Sequence, residues 1–407
     1  MFFRKKKYVA SGSLSKLAWH RFLKNKVGVA SLLIILLSIV IAFLGYLLTP
    51  DTTPYANSQI LEISTQKPGF SSAMLKVRKN SPYLHTSWVA KMLFGAEDNY
   101  QYIPYEKEVR FVDDQVHLTL FDPDQSGAKA AFSLPDIVYP IISESYHADK
   151  KEIIYHLIDG ERKETSITSL QQNVKDDHLI KKRYWLGTDQ FGRDLLSRLV
   201  IGARVSLSVG FISVSISLIV GIFFGAISGF FRGRVDDVIV WFINVVWSIP
   251  TLLLVIAITF ALGRGFWQVF VAVGLTMWVE VARVVRGQII SIREKEFVEA
   301  GFALGFSNTR IIAKHILPNI LSPVIVISAA NFASAILIEA GLSFLGVGVQ
   351  PPMPSWGSMI KEYYSFIILD SAYLAIMPGV AIIILVLAFM LLGNALRDAL
   401  DVRIEND

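Results

Sequence analysis

Six stretches of this chain are apolar for long enough to cross a lipid bilayer, and they limit what it can fold into. A helix needs ~20 apolar residues to span the hydrocarbon. Inside that layer each backbone N–H and C=O must be paired within the segment itself. Val27–Leu48, Val205–Phe231 and Val238–Leu262 carry no charge at all. Gln268–Val285 is weaker, because Glu280 and Arg283 fall inside it. Those two stand three apart, spaced either to pair on one helix face or to sit near the interface. Ile320–Ile338 and Ala372–Leu392 complete the set. The first run exceeds an ordinary signal-peptide core, and no small-residue cleavage site follows before Thr49-Pro50. It reads as a permanent anchor.

Charge placement orients the spans. Residues 1–26 hold eight Lys/Arg and no acid, directly before the first span, as a cytoplasmic flank does. Arg232 and Arg234 follow the second span. Arg286, Arg293, Lys295, Arg310 and Lys314 follow the fourth. The alternate short loops hold only Arg264 and Lys361. Six spans then put both termini in the cytoplasm. The formal net charge of +5 is explained by these flanks, so nucleic acid is not an expected partner. Within residues 13–26, Leu14, Leu17, Ala18 and Phe22 oppose Lys16, Arg21 and Lys24, which predicts an amphipathic helix on the inner membrane surface.

Between the fourth and fifth spans lies a polar stretch, EAGFALGFSNTRIIAKHILPN, Glu299–Asn319. Phe297, Ala300, Gly301 and Leu304 recur at helical spacing against Glu294, Lys295, Glu296 and Glu299. Gly305 is placed to end that helix in the left-handed conformation, and Ser307 to cap a second one. The second helix is expected to run through Ile311, Ile312 and Ile316 and stop at Pro318. A helix–turn–helix outside the membrane, greasy on one face and charged on the other, suits docking to a partner.

Thr49–Arg204 contains 156 residues and no span. Its alternating patches, KEVRF, QVHLTLF and KEIIYHLIDGERKETSIT, lie around turn signals such as Asp-Pro-Asp and Asp-Gly, and predict a small β-rich domain with a helix near Trp88–Phe94. Towards its end, Leu195, Leu196, Leu199 and Val200 share a helical face, Asp194 and Arg198 have pairing distance, and Trp185 suits an interface.

The chemistry inventory is mostly one of exclusions. Cysteine is absent, so no disulfide, thiolate site or cysteine nucleophile exists. GTDQFGRD lacks the Lys-Ser/Thr of a phosphate-binding loop, so energy from ATP must come through another polypeptide. No H-E-x-x-H occurs, and GLSFLG is not G-x-S-x-G. His85, His117, His147, His156 and His178 are scattered, and His315 has no second ligand nearby in sequence. No catalytic, cofactor or metal residue is therefore expected. Asn244, Ser248, Asn331 and Ser334 are candidates for a transport pathway, since lipid-facing positions penalise polar groups. Pro250, Pro323 and Pro378 can bend spans.

Three blocks together resemble the C-type permease subunits of dipeptide, oligopeptide and nickel ABC importers. They are WLGTDQFGRDLLSRLVIGARVSLSVG (185–210), EAGFALGFSNTRIIAKHILPN (299–319) and EAGLSFLGVGVQPPMPSWGSMI (339–360). The tail GNALRDALDVR (393–403) is similar, although Asn394 and Val402 stand where the family often has Asp and Pro. The resemblance covers residues 13–48 and 185–403. It implies an all-α polytopic membrane protein with six transmembrane helices of the type I ABC importer permease fold. The middle block resembles the family's EAA coupling loop, matching at Glu299, Ala300, Gly305, Leu317 and Pro318, with Gly301 in place of the usual second Ala. Phe297, Leu304 and His315 fall in the same ATPase-coupling segment. Pro351, Pro352 and Pro354 stiffen the last block, where Trp356 is placed to anchor at the interface near the mouth of the pathway. The region at about 52–180 departs from the family, whose first outer loop is much shorter.

The expected organisation is therefore a basic cytoplasmic tail with an interfacial helix (1–26), a first transmembrane helix (27–48), an inserted β-containing extracytoplasmic domain (49–184) and a permease domain (185–407) whose coupling loop lies near 294–319. The resemblance implies a non-enzymatic permease in the cytoplasmic (inner) membrane, for peptides or a related small solute. Its implied partners are membrane lipid, a second permease subunit, two ABC ATPase subunits and an external solute-binding protein. The competing reading is a mechanotransmission or sensor protein acting through its large extracytoplasmic domain.

Overall fold

The computed structural model describes residues 14–122, 127–142, 146–148, 151–263 and 265–400. The basic residues before Leu14, the Asp-Pro-Asp turn at 122–124 beyond Asp122, Arg264, and Val402 with Arg403 lie outside them. In chain order the helices and strands are α1 (Leu14–Lys24), α2 (Lys26–Leu48), β1 (Ser71–Arg78), α3 (Trp88–Phe94), β2 (Tyr100–Val112), β3 (Gln115–Leu120), β4 (Lys129–Ser133) and α4 (Leu134–Val138). There follow β5 (His147–Ala148), β6 (Glu152–His156), β7 (Arg162–Ser166), α5 (Ile167–Asn173) and β8 (Leu179–Arg183). The rest is helical: α6 (Leu195–Phe231), α7 (Gly233–Trp247), α8 (Thr251–Leu262), α9 (Phe266–Arg293), α10 (Glu296–Ala303), α11 (Asn308–Arg310), α12 (Leu321–Phe344), α13 (Trp356–Tyr363) and α14 (Tyr373–Leu400). Two compact units result: one takes the chain through Val40, Ala203–Tyr364 and the chain from Ala375; the other takes Ile41–Gly202 and Ser365–Leu374.

Among the described residues, five helices are long and apolar enough to cross a membrane: α2, α6, α9, Asn308–Phe344 and α14. The run expected as one span at Val238–Leu262 is instead two helices, α7 and α8, meeting at 92°. Pro250 lacks the N–H that a continuous helix would use, and the break falls on it. Pro323 and Pro378 do not break their helices: Pro323 falls in the first turn of α12 and Pro378 lies inside α14.

Helices α6 and α9 pack closely, with the α6 glycines seated against Val281, Val285 and Ile289 and the α9 backbone. Gly221, Gly225 and Gly229 recur every fourth residue, and a Cβ at each would lie 2.8 Å from Trp278 O, 2.6 Å from Ala282 O and 2.8 Å from Arg286 O respectively. Gly274 answers from α9, where a Cβ would meet Ile216 Cβ at 2.7 Å. Small residues at this spacing let two backbones touch, which is how helices associate where hydrocarbon offers no hydrophobic gain. Ser213 Oγ donates to Phe270 O (3.0 Å) on the same seam. At its end, α7 joins by charge: Arg286 and Asp236 share two short hydrogen bonds, and Ser228 also bonds Asp236.

Helix α1 forms where its apolar spacing predicts. It does not devote its whole apolar face to lipid, however: Phe22 is buried against Ala395 and Ala399 of α14, whereas Leu17, Trp19 and Leu23 stay exposed. Trp356, expected at a membrane interface, is buried at the start of α13. Gly357 beside it lets that helix approach within contact of Ala340, and Ser355 closes a capping box with Ser358.

The second unit holds an antiparallel five-stranded sheet, order β4-β3-β2-β1-β8, and a three-stranded sheet, β5-β6-β7. Val116 and Leu118 in β3, and Ile153 and Tyr155 in β6, alternate inward and pack with Leu75, Leu134, Ile137 and Leu170. The three alternating patches lie in β2, β3 and β6–β7. Gly160 turns the last hairpin with φ +87°, and Ser87 caps α3 by accepting from Ala90 N (3.2 Å). The expected partnership of Asp194 with Arg198 is redistributed. Asp194 accepts from Ser197 N (2.8 Å), while Arg198 Nε lies 3.6 Å from buried Asp189, which also binds Arg193 Nε (2.6 Å). Trp185 is exposed, with the Arg183 guanidinium 4.1 Å from its ring centroid.

Candidate functional site

The polar segment after α9 is a rigid mount with an open face. Arg232 donates to Glu294 Oε1 (2.8 Å) and to Ile290 O (3.2 Å), pinning the end of α9. Helix α10 then turns Val298 and Gly301 inward, against Ile311, Ile316 and Ile289 of the same core. Of the expected apolar face, Gly301 is buried, while Phe297, Ala300 and Leu304 are exposed, along with Glu296 and Glu299. Leu304 is 71% exposed. The inward contact with the helix stem is made by Val298 and Gly301, not by Phe297.

The turn is closed as its residue types require. Gly305 has φ +73°; its N–H donates to Phe302 O (2.9 Å), and Phe306 N–H donates to Gly301 O (3.1 Å). That pair of bonds satisfies the carbonyls that a helix end leaves orphaned. Ser307 Oγ accepts from Arg310 N (3.4 Å). Arg310 lies over the Phe306 ring at 4.0 Å, and Phe306 stacks on His315 at 5.6 Å.

The expected stop at Pro318 does not occur. After α11 the chain winds as a π-helix over Ile311–Ile316 and a 3-10 helix over Leu317–Ile320, then continues directly into α12. The change of winding accommodates the missing proline N–H while the chain stays helical. Asn308–Phe344 is thus one helical stretch of 37 residues.

The candidate pathway residues separate. Ser334 lines a cleft of about 340 Å³ together with Trp247, Thr251, Thr276, Glu280 and Leu337. Asn244 and Ser248 do not line it: Asn244 Oδ1 accepts from Arg283 (2.9 Å), and Ser248 Oγ donates to Val245 O (2.7 Å). Asn331 is buried, does not line the cleft, and leaves its Nδ2 without a partner. Glu280 and Arg283 do not pair. Arg283 turns to Asn244 and to the Trp247 ring, 3.7 Å away. Sequence reasoning left Glu280 out of the pathway, although an acid within an otherwise apolar span was the available signal.

Another polar arrangement was not anticipated. Glu339 is fully buried in α12, where its Oε1 accepts from Ser343 Oγ (2.6 Å), and Ser343 Oγ in turn accepts from Val349 N (3.1 Å). The carboxylate therefore organises the loop leading to α13. Among the described residues, no group of three or more His, Asp or Glu could hold a metal ion.

Comparison with known proteins adds to this geometry. Residues 221–406 match the family described as binding-protein-dependent transport system inner membrane component, and residues 13–68 match the N-terminal TM domain of oligopeptide transport permease C. The dipeptide transport system permease protein DppC of Alkalihalophilus pseudofirmus is 42% identical over 223 residues, 55% of this chain and 73% of that protein. The glutathione transport system permease protein GsiD of Pectobacterium atrosepticum is 38% identical over 223 residues, 55% of this chain and 74% of that protein. A solved structure of the MetNI methionine ABC transporter in an inward-facing conformation is 20% identical, with a TM-score of 0.43, over 50% of this chain and 96% of that one.

Proposed function

Because this chain belongs to the family of binding-protein-dependent transport system inner membrane components, we propose that its transported solute is a peptide. It is a permease subunit of an ABC importer, a multi-pass inner-membrane protein that works with ATPase and binding-protein partners. Its family lacks an ATPase of its own. The peptide assignment rests on the dipeptide, oligopeptide and glutathione permeases among its relatives. The mechanotransmission or sensor reading has no support in these likenesses.

The exposed strip of α10 carries the mechanistic part of the proposal. Phe297, Glu299, Ala300 and Leu304 form a docking surface for an ATPase subunit. Gly301 and Gly305 shape its mount, while His315, Leu317 and Pro318 belong to the stem behind it. A helix held by Val298 and by its closing turn transmits force, whereas a floppy loop would dissipate it. A second permease subunit completes the pathway and two ATPases drive it. The bent pair α7–α8 counts as one span, giving six, with both termini cytoplasmic. The β-rich region at 49–184 is then extracytoplasmic and helps to dock the binding protein.

The deciding experiment is ATP-dependent uptake of labelled di- and oligopeptides by the reconstituted complex. Uptake of another solute class with no peptide uptake would overturn the substrate. Reporter fusions after Arg234 and Lys314 should report cytoplasm, and one near Asp159 the outside; an external Lys314 would overturn the topology. Deletion of residues 52–180 that left docking and uptake intact would remove the docking role.

A further inference from the structure

Glu280 stands halfway along α9, 14 residues from Phe266 and 13 from Arg293 (280 − 266 and 293 − 280). At ~1.5 Å per residue it is about 20 Å from either end of that helix, and, within the apolar run Gln268–Val285, about 8 Å from its C-terminal limit. A carboxylate inside an apolar run is expensive unless it faces water or meets a cation. Glu280 opens on the 340 Å³ cleft, whose walls are apolar at Trp247, Leu254 and Leu337 and hydroxylated at Thr251, Thr276 and Ser334. Among the described residues no hydrogen bond or ion pair reaches it. The cation nearest in sequence, Arg283, is held away by Asn244 and by its stacking on Trp247. One helix face thus carries a spent positive charge and an unspent negative one, with a solute-sized space in front of the latter.

We propose that Glu280 is the subsite that receives a primary ammonium group of the transported peptide, the α-ammonium or a lysine side chain. This rests on the peptide-import reading. The chemistry is a charge-assisted hydrogen bond at the open side of the cleft, with the threonine and serine hydroxyls supplying further acceptors. It makes the cleft selective for cationic ends and indifferent to the apolar side chains that line up with Trp247 and Leu337.

The test uses the assembled transporter in proteoliposomes with its binding protein. Glu280→Gln should lower the uptake rate of Ala-Ala by about tenfold or more, the size of one charge-assisted bond, with co-purification of the partner subunits retained and with partial recovery in Glu280→Asp. A second measurement needs no transport. Carbodiimide labelling of Glu280, read by mass spectrometry, should be blocked by millimolar Ala-Ala and left unchanged by N-acetyl-Ala-Ala. Protection by N-acetyl-Ala-Lys would show that the side-chain ammonium also enters. Wild-type uptake by Glu280→Gln, or equal protection by free and acetylated Ala-Ala, would overturn the subsite. So would loss of the second permease from the Glu280→Gln complex, which would make that subunit the source of the cation. If the wild-type transporter moved no peptide at all, it is the import reading that would fail, and the labelling experiment would still judge the subsite.

Discussion

Arg286 holds Asp236 by both of its carboxylate oxygens, Nε to Oδ1 at 2.7 Å and Nη2 to Oδ2 at 2.6 Å. The two residues are 50 apart in sequence and tie α9 to α7 just before the coupling segment begins. Bidentate geometry fixes direction as well as distance, so the contact sets the angle at which the two helices leave each other.

Asp236→Asn should therefore destabilise the permease by about 1.5–3 kcal/mol, the range for hydrogen bonds to charged groups. The measurement is thermal inactivation of the purified complex, with a double-mutant cycle through Arg286→Gln. Additive single effects would mean that the two residues act independently despite their geometry.

Two glycines should respond in opposite ways. Gly225→Val would drive a side chain into Ala282 O and Val285 across the α6–α9 seam, and overpacking of this kind costs about 1–3 kcal/mol. Gly301→Ala meets only ordinary contacts at 3.6–3.8 Å with Ile311 and Phe306, so helix propensity decides and the change should add up to about 1 kcal/mol. Melting temperatures of the two variants in one detergent separate these outcomes. A destabilised Gly301→Ala would mean that the inward face of α10 is more crowded than these distances allow.

Glu299→Arg should uncouple ATP hydrolysis from transport and reduce ATPase co-purification. Loss of one partner in a desolvated charge contact costs about 2–5 kcal/mol. Glu294→Gln is the appropriate control, because it removes only an exposed bond to Arg232, worth about 1 kcal/mol or less. Substrate capture by the binding protein should be unchanged in both. Normal ATPase retention and coupling in Glu299→Arg would remove Glu299 from the docking surface.

The β-rich unit should lose stability in mild acid. His178 is buried, and its Nδ1–H donates to Lys76 O at 2.5 Å between β1 and β8. Burial, assisted by the Lys76 ammonium, holds the imidazole below its ordinary value of 6.5. The unfolded chain then takes up a proton before the folded one does. The contribution is complete above pH 6.5 and falls as pH drops towards the lowered folded value. Hydrogen exchange of residues 71–78 and 179–183, corrected for the chemical exchange rate, should show protection declining between pH 7.5 and 5.5. His178→Gln should flatten that decline. An equally steep decline in the variant would place the titrating group elsewhere.

What the sequence made legible was local. Gly305 and Ser307 advertise a helix end and a helix start through their own backbone preferences, and the structure uses both in those roles. The apolar runs were readable because hydrocarbon thickness imposes a length. Features that depend on a distant partner were not readable. Periodicity marked α10 as amphipathic but could not decide that Val298, not Phe297, meets Ile311. Pro318 looked like a terminator because a proline normally costs a hydrogen bond, yet a shift from π to 3-10 winding accommodates it. The Gly221, Gly225 and Gly229 repeat was present in the sequence but unremarkable until the Trp278, Ala282 and Arg286 carbonyls were found against it. Glu280 was discounted as a blemish in a span, because only the fold reveals the space in front of it.

The run from Asn308 to Phe344 has a mechanical consequence. Its regular part, α12, begins at Leu321, and Ser334 stands 13 residues (334 − 321) along it. At ~1.5 Å per residue that is about 20 Å, so a tilt of about ten degrees pivoting at Leu321 would sweep Ser334 through about 3 Å. The change of winding over Ile311–Ile320 is where such a pivot belongs, since a 3-10 stretch within a helix often serves as a hinge. A small rocking there is enough to make or break one hydrogen bond at the wall of the cleft, where donor and acceptor stand ~3 Å apart.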